Sequence, residues 1–498
     1  MATLDELIAG LPCKVVQDST TCPIAGITAD SRKVEPGWVF VAIPGAKVDG
    51  HRFIAQALAR GAVGLVVDRS LDLPSAAPVA CVRVSDTRQA LASLGAAFYG
   101  HPSRQICLVG VTGTNGKTTS TYLLEAVFQA HGLTSGVIGT ITYRYAGHEQ
   151  PADQTTPAAD DLQRLLREMV EAGVSHCAME VSSHALAQDR VWGCRFAAAL
   201  FTNLTQDHLD YHEDMSAYYA AKARLFMGYQ PGVAVLNRDD PAGQKLLREV
   251  RAPVITYGFS PAADVAVEHL DLNTAGIAFT VRIDGQRRRM YSPLIGRHNV
   301  YNILGALATA KGLGLELEQT IQGIERLPTV PGRFERVDAG QPFGVLVDYA
   351  HTDDALRNVL QAARGTTTGR IIVVFGAGGD RDRGKRPRMG RVAAEHADIA
   401  VITSDNPRTE APMAIIRAIE AGYREIGQTS RYCIIEDRAR AIHEAIGLAR
   451  AGDMVVIAGK GHEAYQIIGA KRFPFDDRQV ARRALQEIGY AQTSRVSF

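Results

Sequence analysis

Ile106-Cys107-Leu108-Val109-Gly110-Val111-Thr112-Gly113-Thr114-Asn115-Gly116-Lys117-Thr118-Thr119 passes from an unbroken apolar run, through a loop punctuated by glycine, into a segment with helical periodicity. A strand over 106–111 and a helix over 118–131, joined by such a loop, form the setting in which a phosphate-binding loop operates. Glycines let backbone N–H groups turn inward onto phosphate oxygens, Lys117 adds a point charge near a transferred phosphate, and Thr118 can place its hydroxyl on Mg²⁺. A strict phosphate-loop pattern would put glycine where Val111 stands, so Gly113 must serve the tight turn instead. The bland alternative, a Gly-rich turn followed by an incidental Lys-Thr pair, leaves the strand before it and the helix after it as coincidences.

Outward from this segment, short runs rich in Val, Ile and Ala alternate with stretches of helical length, the pattern of parallel sheets with crossover helices. Strands are expected at 136–142 and 198–204. A second series starts near Gly344, with strands at 345–348, 371–375, 399–403, 432–435 and 454–457, a Rossmann-like count. The first hundred residues read differently: Gly and Pro punctuation at Pro36-Gly37, Pro44-Gly45 and Gly61 surrounds short strands and one helix over 51–60. The expectation is an α/β protein of three domains: a small N-terminal α/β domain over 1–100, a central parallel-sheet domain of the P-loop ATPase type over 101–330, and a Rossmann-like domain over 331–498. His101-Pro102-Ser103 and the Pro/Gly-rich stretch 328–332 are the expected hinges.

Bulk composition agrees with several cores, since 498 residues exceed what one core holds and 46% of them are hydrophobic. A formal net charge of +1 draws the chain toward neither nucleic acid nor an anionic membrane. The seven cysteines are scattered without a Cys-x-x-Cys pair, which implies neither a disulfide framework nor a zinc knuckle. With no basic-then-apolar leader and no membrane-length apolar run, a soluble, cytoplasmic protein is expected, acting as a monomer.

Thr-Gly-Thr-Asn-Gly-Lys-Thr-Thr resembles the variant phosphate loop of the Mur ligases and folylpolyglutamate synthetases, and the rest of the chain resembles the former. In order follow Met179-Glu180-Val181-Ser182-Ser183-His184, Asn203-Leu204-Thr205-Gln206-Asp207-His208-Leu209-Asp210, Gly296-Arg297-His298-Asn299-Val300-Tyr301-Asn302 and Asp348-Tyr349-Ala350-His351. Asp353 stands where the family often has proline; an acidic residue can likewise favour a helix start.

The resemblance implies an ATP- and Mg²⁺-dependent ligase in which a substrate carboxylate takes the γ-phosphate and the acyl phosphate is then attacked by an amine. It implies that Gly113, Thr114, Asn115, Gly116, Lys117, Thr118 and Thr119 cradle ATP. Asn299 and Arg333 would reach the nucleotide from across the cleft, with Asp348 near the ribose. Thr118 and Glu180 would meet one Mg²⁺, while His208 and a carbamylated Lys222 would hold a second. Lys117, Glu180, His208 and Lys222 thus carry the catalysis. Without the family, His208 reads as a loop histidine, Lys222 as a solvated lysine on a helix over 215–226, and Arg333 as a solvated linker arginine.

For the substrates, the resemblance is to the diaminopimelate-adding branch. It points to Ser31 and Ala46-Lys47-Val48 for the uridine diphosphate end of a nucleotide-linked precursor, and to Thr155, Thr156, Ser182, Gln188 and Arg190 for its muramoyl dipeptide. Ser404-Asp405-Asn406-Pro407-Arg408 follows a predicted strand, where α/β sheets bind ligands. A guanidinium grips a carboxylate through two parallel hydrogen bonds, so Arg408 would select meso-diaminopimelate over lysine, which lacks the distal carboxylate. Arg381, Asp405, Asn406, Pro407, Gly459 and Glu463 complete that expected pocket, Glu463 answering the distal ammonium. Arg381 alone, within Gly378-Gly379-Asp380-Arg381-Asp382-Arg383, reads equally as part of a solvated basic loop. The competing readings are a lysine-adding relative, a folate-polyglutamating ligase, and a nucleotide-binding module that switches a partner.

Overall fold

The chain is described here by a computed structural model covering residues 2–17, 20–45, 48–70, 79–273, 275–426 and 431–490. Among these residues the strands form three large sheets and one small hairpin. The first sheet runs in the order Cys13–Gln17, Ala80–Val84, Gly64–Val67, Trp38–Val41, Gly26–Thr28, with only the Cys13 edge antiparallel. The helices here exceed the single one expected: Leu4–Ile8 and Thr87–Phe98 join Ile54–Ala59, which is preceded by a 3-10 turn over Gly50–Phe53. Thr87–Phe98 is rich in Ala and Leu, and its start is fixed by the Asp86 carboxylate accepting from the Arg88 and Gln89 N–H groups.

The second sheet has eleven strands. Seven are parallel, in the order Val265–Asn273, Val254–Gly258, Val233–Asn237, Ala198–Phe201, Cys107–Thr112, His176–Glu180, Ser135–Ile138. Antiparallel pairing extends it at both edges: Gly276–Ile283 and Gln286–Ser292 beyond Val265–Asn273 on one side, Thr142–Tyr145 and His148–Pro151 on the other. The expected strand over 136–142 is therefore two, split where residues 139–141 turn the chain back along Ser135–Ile138. The helix Lys117–Ala130 packs on the sheet through Leu123, Leu124, Val127 and Phe128, each fully buried and each contributing about 1.5–3 kcal/mol of burial.

The third sheet runs Glu335–Arg336, Gly344–Asp348, Met454–Ala458, Ile371–Phe375, Ile399–Ile402, Tyr432–Ile434. All but the first are parallel. Ile371–Phe375 is buried at every position, as a strand covered on both faces must be. Helix Asp353–Arg364 starts on the Thr352 hydroxyl, which accepts from the Ala355 N–H, so Asp353 occupies the first turn, where its charge favours the dipole. Tyr465–Ile468 and Lys471–Pro474 form a hairpin set against this sheet. No helix among the described residues is long and apolar enough to cross a membrane.

Candidate active site

Sheet register assembles the first half of the site. Val111 lies opposite Glu180 on one side and Leu200 on the other, so the carboxyl ends of three neighbouring strands deliver the phosphate loop, Glu180 and Asn203 to one place. Asn203 then clasps the loop: its carbonyl accepts from the Thr114 N–H at 2.9 Å and its side-chain oxygen from the Asn115 N–H at 2.9 Å. Gly113 sits at φ 149°, and a Cβ there would overlap the Thr202 hydroxyl; Gly116, at φ 88°, would overlap the Asn302 side-chain oxygen. Both positions are closed to any side chain. Lys117 Nζ donates to the Gly113 and Thr114 carbonyls at 2.9 and 2.8 Å. Thr118 and Thr119 open the following helix, both buried.

Glu180, 1% exposed, accepts from the Thr140 N–H at 2.8 Å and the Thr140 hydroxyl at 3.1 Å, while its backbone carbonyl takes the Thr156 hydroxyl at 2.8 Å. Thr140 also meets the Thr155 hydroxyl at 3.1 Å, and the Ser182 N–H donates to the Thr156 hydroxyl at 3.1 Å. Arg190 joins them, donating to the Thr156 carbonyl at 3.0 Å and to the Gln188 side-chain oxygen at 2.7 Å. Thr155, Thr156, Ser182, Gln188 and Arg190 are therefore one connected patch beside Glu180. On the N-terminal sheet, Ser31 is buried and donates to Gln56 at 2.9 Å, Val48 is exposed, and Ala46 and Lys47 lie outside the described residues.

Lys222 is not a solvated lysine: its residue is 2% exposed, and Nζ donates to the Gly113 carbonyl at 2.7 Å, the same oxygen that Lys117 uses. Burial, with the Lys117 charge beside it, pushes its ammonium well below the usual lysine range, against the pull of Asp207. His208 stands at φ 54°, its side chain 45% exposed, with Nε2 3.6 Å from Asp207 and its ring edge-on to His184 at 4.9 Å. Thr118 and Glu180 offer the hard oxygens that Mg²⁺ prefers, and a carbamate on Lys222 would add more. His208 is the one nitrogen donor in that set.

From the third sheet, Arg333 reaches across: Nη2 donates to the Thr118 hydroxyl at 3.1 Å, and the guanidinium lies 4.8 Å over the Tyr349 ring. Its Nε is buried with no partner among the described residues, a donor available to a phosphate oxygen. Asp348, buried, accepts from the Phe334 and Ala350 N–H groups at 2.7 and 2.8 Å. Its carboxyl is pushed up by burial, with Arg333 and both N–H groups opposing. Asn299 stands elsewhere than expected. It lies on helix Arg297–Gly312, on the phosphate-loop side of the cleft, buried, donating to the Ile295 carbonyl and accepting from Asn302, which abuts Gly116.

A second cluster of polar side chains lies at the carboxyl ends of Ile399–Ile402, Ile371–Phe375 and Met454–Ala458. Arg408 has φ 53°; its N–H donates to the Ile467 carbonyl at 3.1 Å, and its guanidinium to the Gly379 carbonyl at 2.7 Å. Asn406 donates to Glu463 at 2.9 Å, and Gly459, at φ 121°, leaves no room for a Cβ against Asp405. Burial pushes the Tyr465 hydroxyl up, with Glu463 and Asp405 adding to the rise and Arg472 and Arg408 opposing it. Pro407 is buried beneath Gly379, where a Cβ on the glycine would strike its carbonyl. Arg381 is exposed and donates a long hydrogen bond to the Asp380 carbonyl. Three participants were silent in the sequence: Thr140 behind Glu180, Gln466, which donates to the Asp405 carbonyl at 2.7 Å, and Lys460, wholly buried beneath Asp405, Asn406 and Glu463. Only the Gly459-Lys460-Gly461-His462-Glu463 motif pointed near the last.

A glycine-cradled phosphate loop at the ends of a parallel sheet, faced by an arginine from a second sheet, defines a P-loop nucleotide-dependent enzyme. Sequence models describing the Mur ligase family catalytic domain, the Mur ligase middle domain and the Mur ligase glutamate ligase domain match residues 23–99, 111–310 and 332–461. The chain belongs to the Mur ligase family and is an ATP-dependent amide-bond-forming ligase. It is 48% identical to the UDP-N-acetylmuramoyl-L-alanyl-D-glutamate--2,6-diaminopimelate ligase of Solibacter usitatus (strain Ellin6076), covering 98% of this chain and 99% of that one. It is 49% identical to the protein of that name from Gloeobacter violaceus, covering 97% and 98%. A solved structure of a ligase of the same name superposes with a TM-score of 0.71 at 33% identity, over 98% of this chain and 99% of that one. Folylpolyglutamate synthase of Mycobacterium tuberculosis, at 19% identity, TM-score 0.61 and coverage of 82% and 96%, shares the fold alone.

Proposed function

We propose that this ligase joins meso-diaminopimelate to UDP-N-acetylmuramoyl-L-alanyl-D-glutamate in peptidoglycan precursor synthesis, as a cytoplasmic monomer whose three domains meet near residues 101 and 331. Relatives carrying that name along the full length of both chains support the reading. The observation that carries it is that the 404–408 segment, which bears the Arg408 guanidinium, is hydrogen-bonded through Asn406 to the Glu463 carboxylate at the strand ends of the third sheet, because the far end of meso-diaminopimelate presents a carboxylate and an ammonium. Lysine presents only the ammonium.

In the first step the D-glutamate carboxylate oxygen bonds to the γ-phosphorus and ADP leaves. The amine nitrogen then attacks the acyl carbon, the tetrahedral intermediate expels inorganic phosphate, and the ammonium's protons are released. All reacting groups but the amine are anionic, so the residues that matter are those that bring positive charge. Backbone N–H groups from Gly113 to Thr119 and the Lys117 ammonium hold the phosphates; Arg333 approaches from the opposite sheet and excludes water. Thr118 and Glu180 would hold one Mg²⁺, and His208 with carbamylated Lys222 a second, each neutralising phosphate charge. Thr155, Thr156, Ser182, Gln188 and Arg190 orient the dipeptide beside Glu180, with Ser31 and residues 46–48 toward the uridine end. Asn299 supports the nucleotide through Asn302, and Asp348 faces the ribose. Asp405, Asn406, Pro407, Arg408, Gly459 and Glu463 form the amino-acid pocket, with Arg381 at its rim.

The test is ADP release with UDP-N-acetylmuramoyl dipeptide, offering meso-diaminopimelate and lysine separately. Turnover with meso-diaminopimelate alone is expected. Equal use of lysine by the unaltered protein would overturn the assignment.

A further inference from the structure

A lysine with no solvent exposure needs a reason to be inside, since an uncompensated buried charge costs several kcal/mol. Lys460 is 0% exposed. Its Nζ donates to Asn406 Oδ1 at 3.1 Å and to Glu463 Oε2 at 3.1 Å, and stands 3.9 Å from Asp405 Oδ1. The Asn406 amide is fixed by the same contacts: its oxygen accepts from Lys460 and from the Ile467 N–H at 2.9 Å, and its nitrogen donates to Glu463 Oε2 at 2.9 Å. One oxygen of Glu463 is thus held by two donors. The other accepts no hydrogen bond among the described residues.

We propose that Lys460 is the positioning residue of the amino-acid pocket: it fixes the Glu463 carboxylate and cancels one of the two neighbouring negative charges, leaving a single anion for a single incoming ammonium. The reasoning is one of count and direction. Asp405 and Glu463 without Lys460 would be two acidic groups facing one pocket, repelling each other and binding cations indiscriminately. With Lys460 beneath them, Glu463 is pinned through Oε2 and its Oε1 is the group available to a ligand. Asn406, locked between Lys460 and Glu463, passes the same constraint to the residues on either side of it, Asp405 and, two positions on, Arg408. Lys460 itself touches no substrate; it acts through Glu463.

The proposal rests on the reading of this pocket as the amino-acid site. The experiment uses the full-length enzyme with whichever of meso-diaminopimelate or lysine the unaltered protein accepts, so that a wrong substrate assignment fails separately. Initial rates of ADP release are measured for Lys460→Met, varying amino acid and ATP in turn. The KM for the amino acid is expected to rise roughly ten- to hundredfold, as on removing one partner of a buried hydrogen-bonded charge pair. The KM for ATP should move less than about threefold. In a Glu463→Gln background, which removes the group Lys460 is held to act through, adding Lys460→Met should shift the amino-acid KM by less than about threefold. That double variant loses one charge of each sign, so the pocket keeps its balance. Where Lys460→Met alone does not fold, Lys460→Gln, which keeps a donor while removing the charge, takes its place in the same comparison. An unchanged amino-acid KM, equal shifts in both KM values, or a shift as large in the Glu463→Gln background as in the native one overturns the proposal.

Discussion

The phosphate loop and the proposed amino-acid site sit at equivalent places, the carboxyl ends of parallel strands in two different sheets, yet they are built by opposite means. The loop is one contiguous stretch whose recognition surface is backbone, kept clear by Gly113 and Gly116, where no Cβ fits. The pocket is gathered from separate segments, 404–408, 459–463 and the hairpin Tyr465–Pro474, and its surface is made of side chains that hold one another. A backbone site suits a ligand part common to many enzymes, since every residue carries the same N–H. A side-chain site can be retuned by single substitutions and suits the part of the reaction that differs between relatives.

Variants can break this contrast in descending order of effect. Lys117→Met removes the one side-chain charge of the loop and is expected to lower kcat about a thousandfold, read by ADP release at saturating substrates, a loss of the size seen on removing a preorganised electrostatic contact. Gly113→Ala forces a left-handed φ and a clash with Thr202 upon a side chain, and should cost about 3 kcal/mol of stability in denaturant unfolding. Arg408→Ala should leave the KM for ATP unaltered while its preference for meso-diaminopimelate over lysine, measured as a ratio of kcat/KM values, falls roughly ten- to hundredfold. Gln466→Ala frees the Asp405 carbonyl from the hairpin and should raise the amino-acid KM roughly two- to tenfold with little change in melting temperature. A Gly113→Ala protein as stable as the native one would show that the loop is not closed to side chains. An Arg408→Ala protein that retains full preference would move the selective contact elsewhere.

The legible parts of this site were those written locally. The strand before the phosphate loop and the helix after it fall within a residue of the ranges read from apolar runs and periodicity, and the parallel strands of the third sheet do likewise, because strands buried on both faces must be apolar throughout. Less legible were the edge hairpins: Gln286–Ser292 exposes Arg287, Arg288 and Arg289, and such half-exposed strands carry too little apolar signal to stand out. Thr140, Gln466 and Lys460 belong to no motif that states their task.

The sequence by itself determined where a phosphate could be cradled, since spacing within a loop is a property of neighbours along the chain; the choice of Arg408 as the selective arginine came from the family resemblance and stands as a proposal. Tertiary structure alone decided that Lys222 and Lys460 are buried, that Lys222 shares a carbonyl with Lys117, that Asn299 backs the loop instead of facing it, and that Arg333 reaches Thr118. Burial and pairing arise from strand register and sheet order, which bring together residues many tens of positions apart, and no local pattern encodes the dielectric in which a charge will find itself.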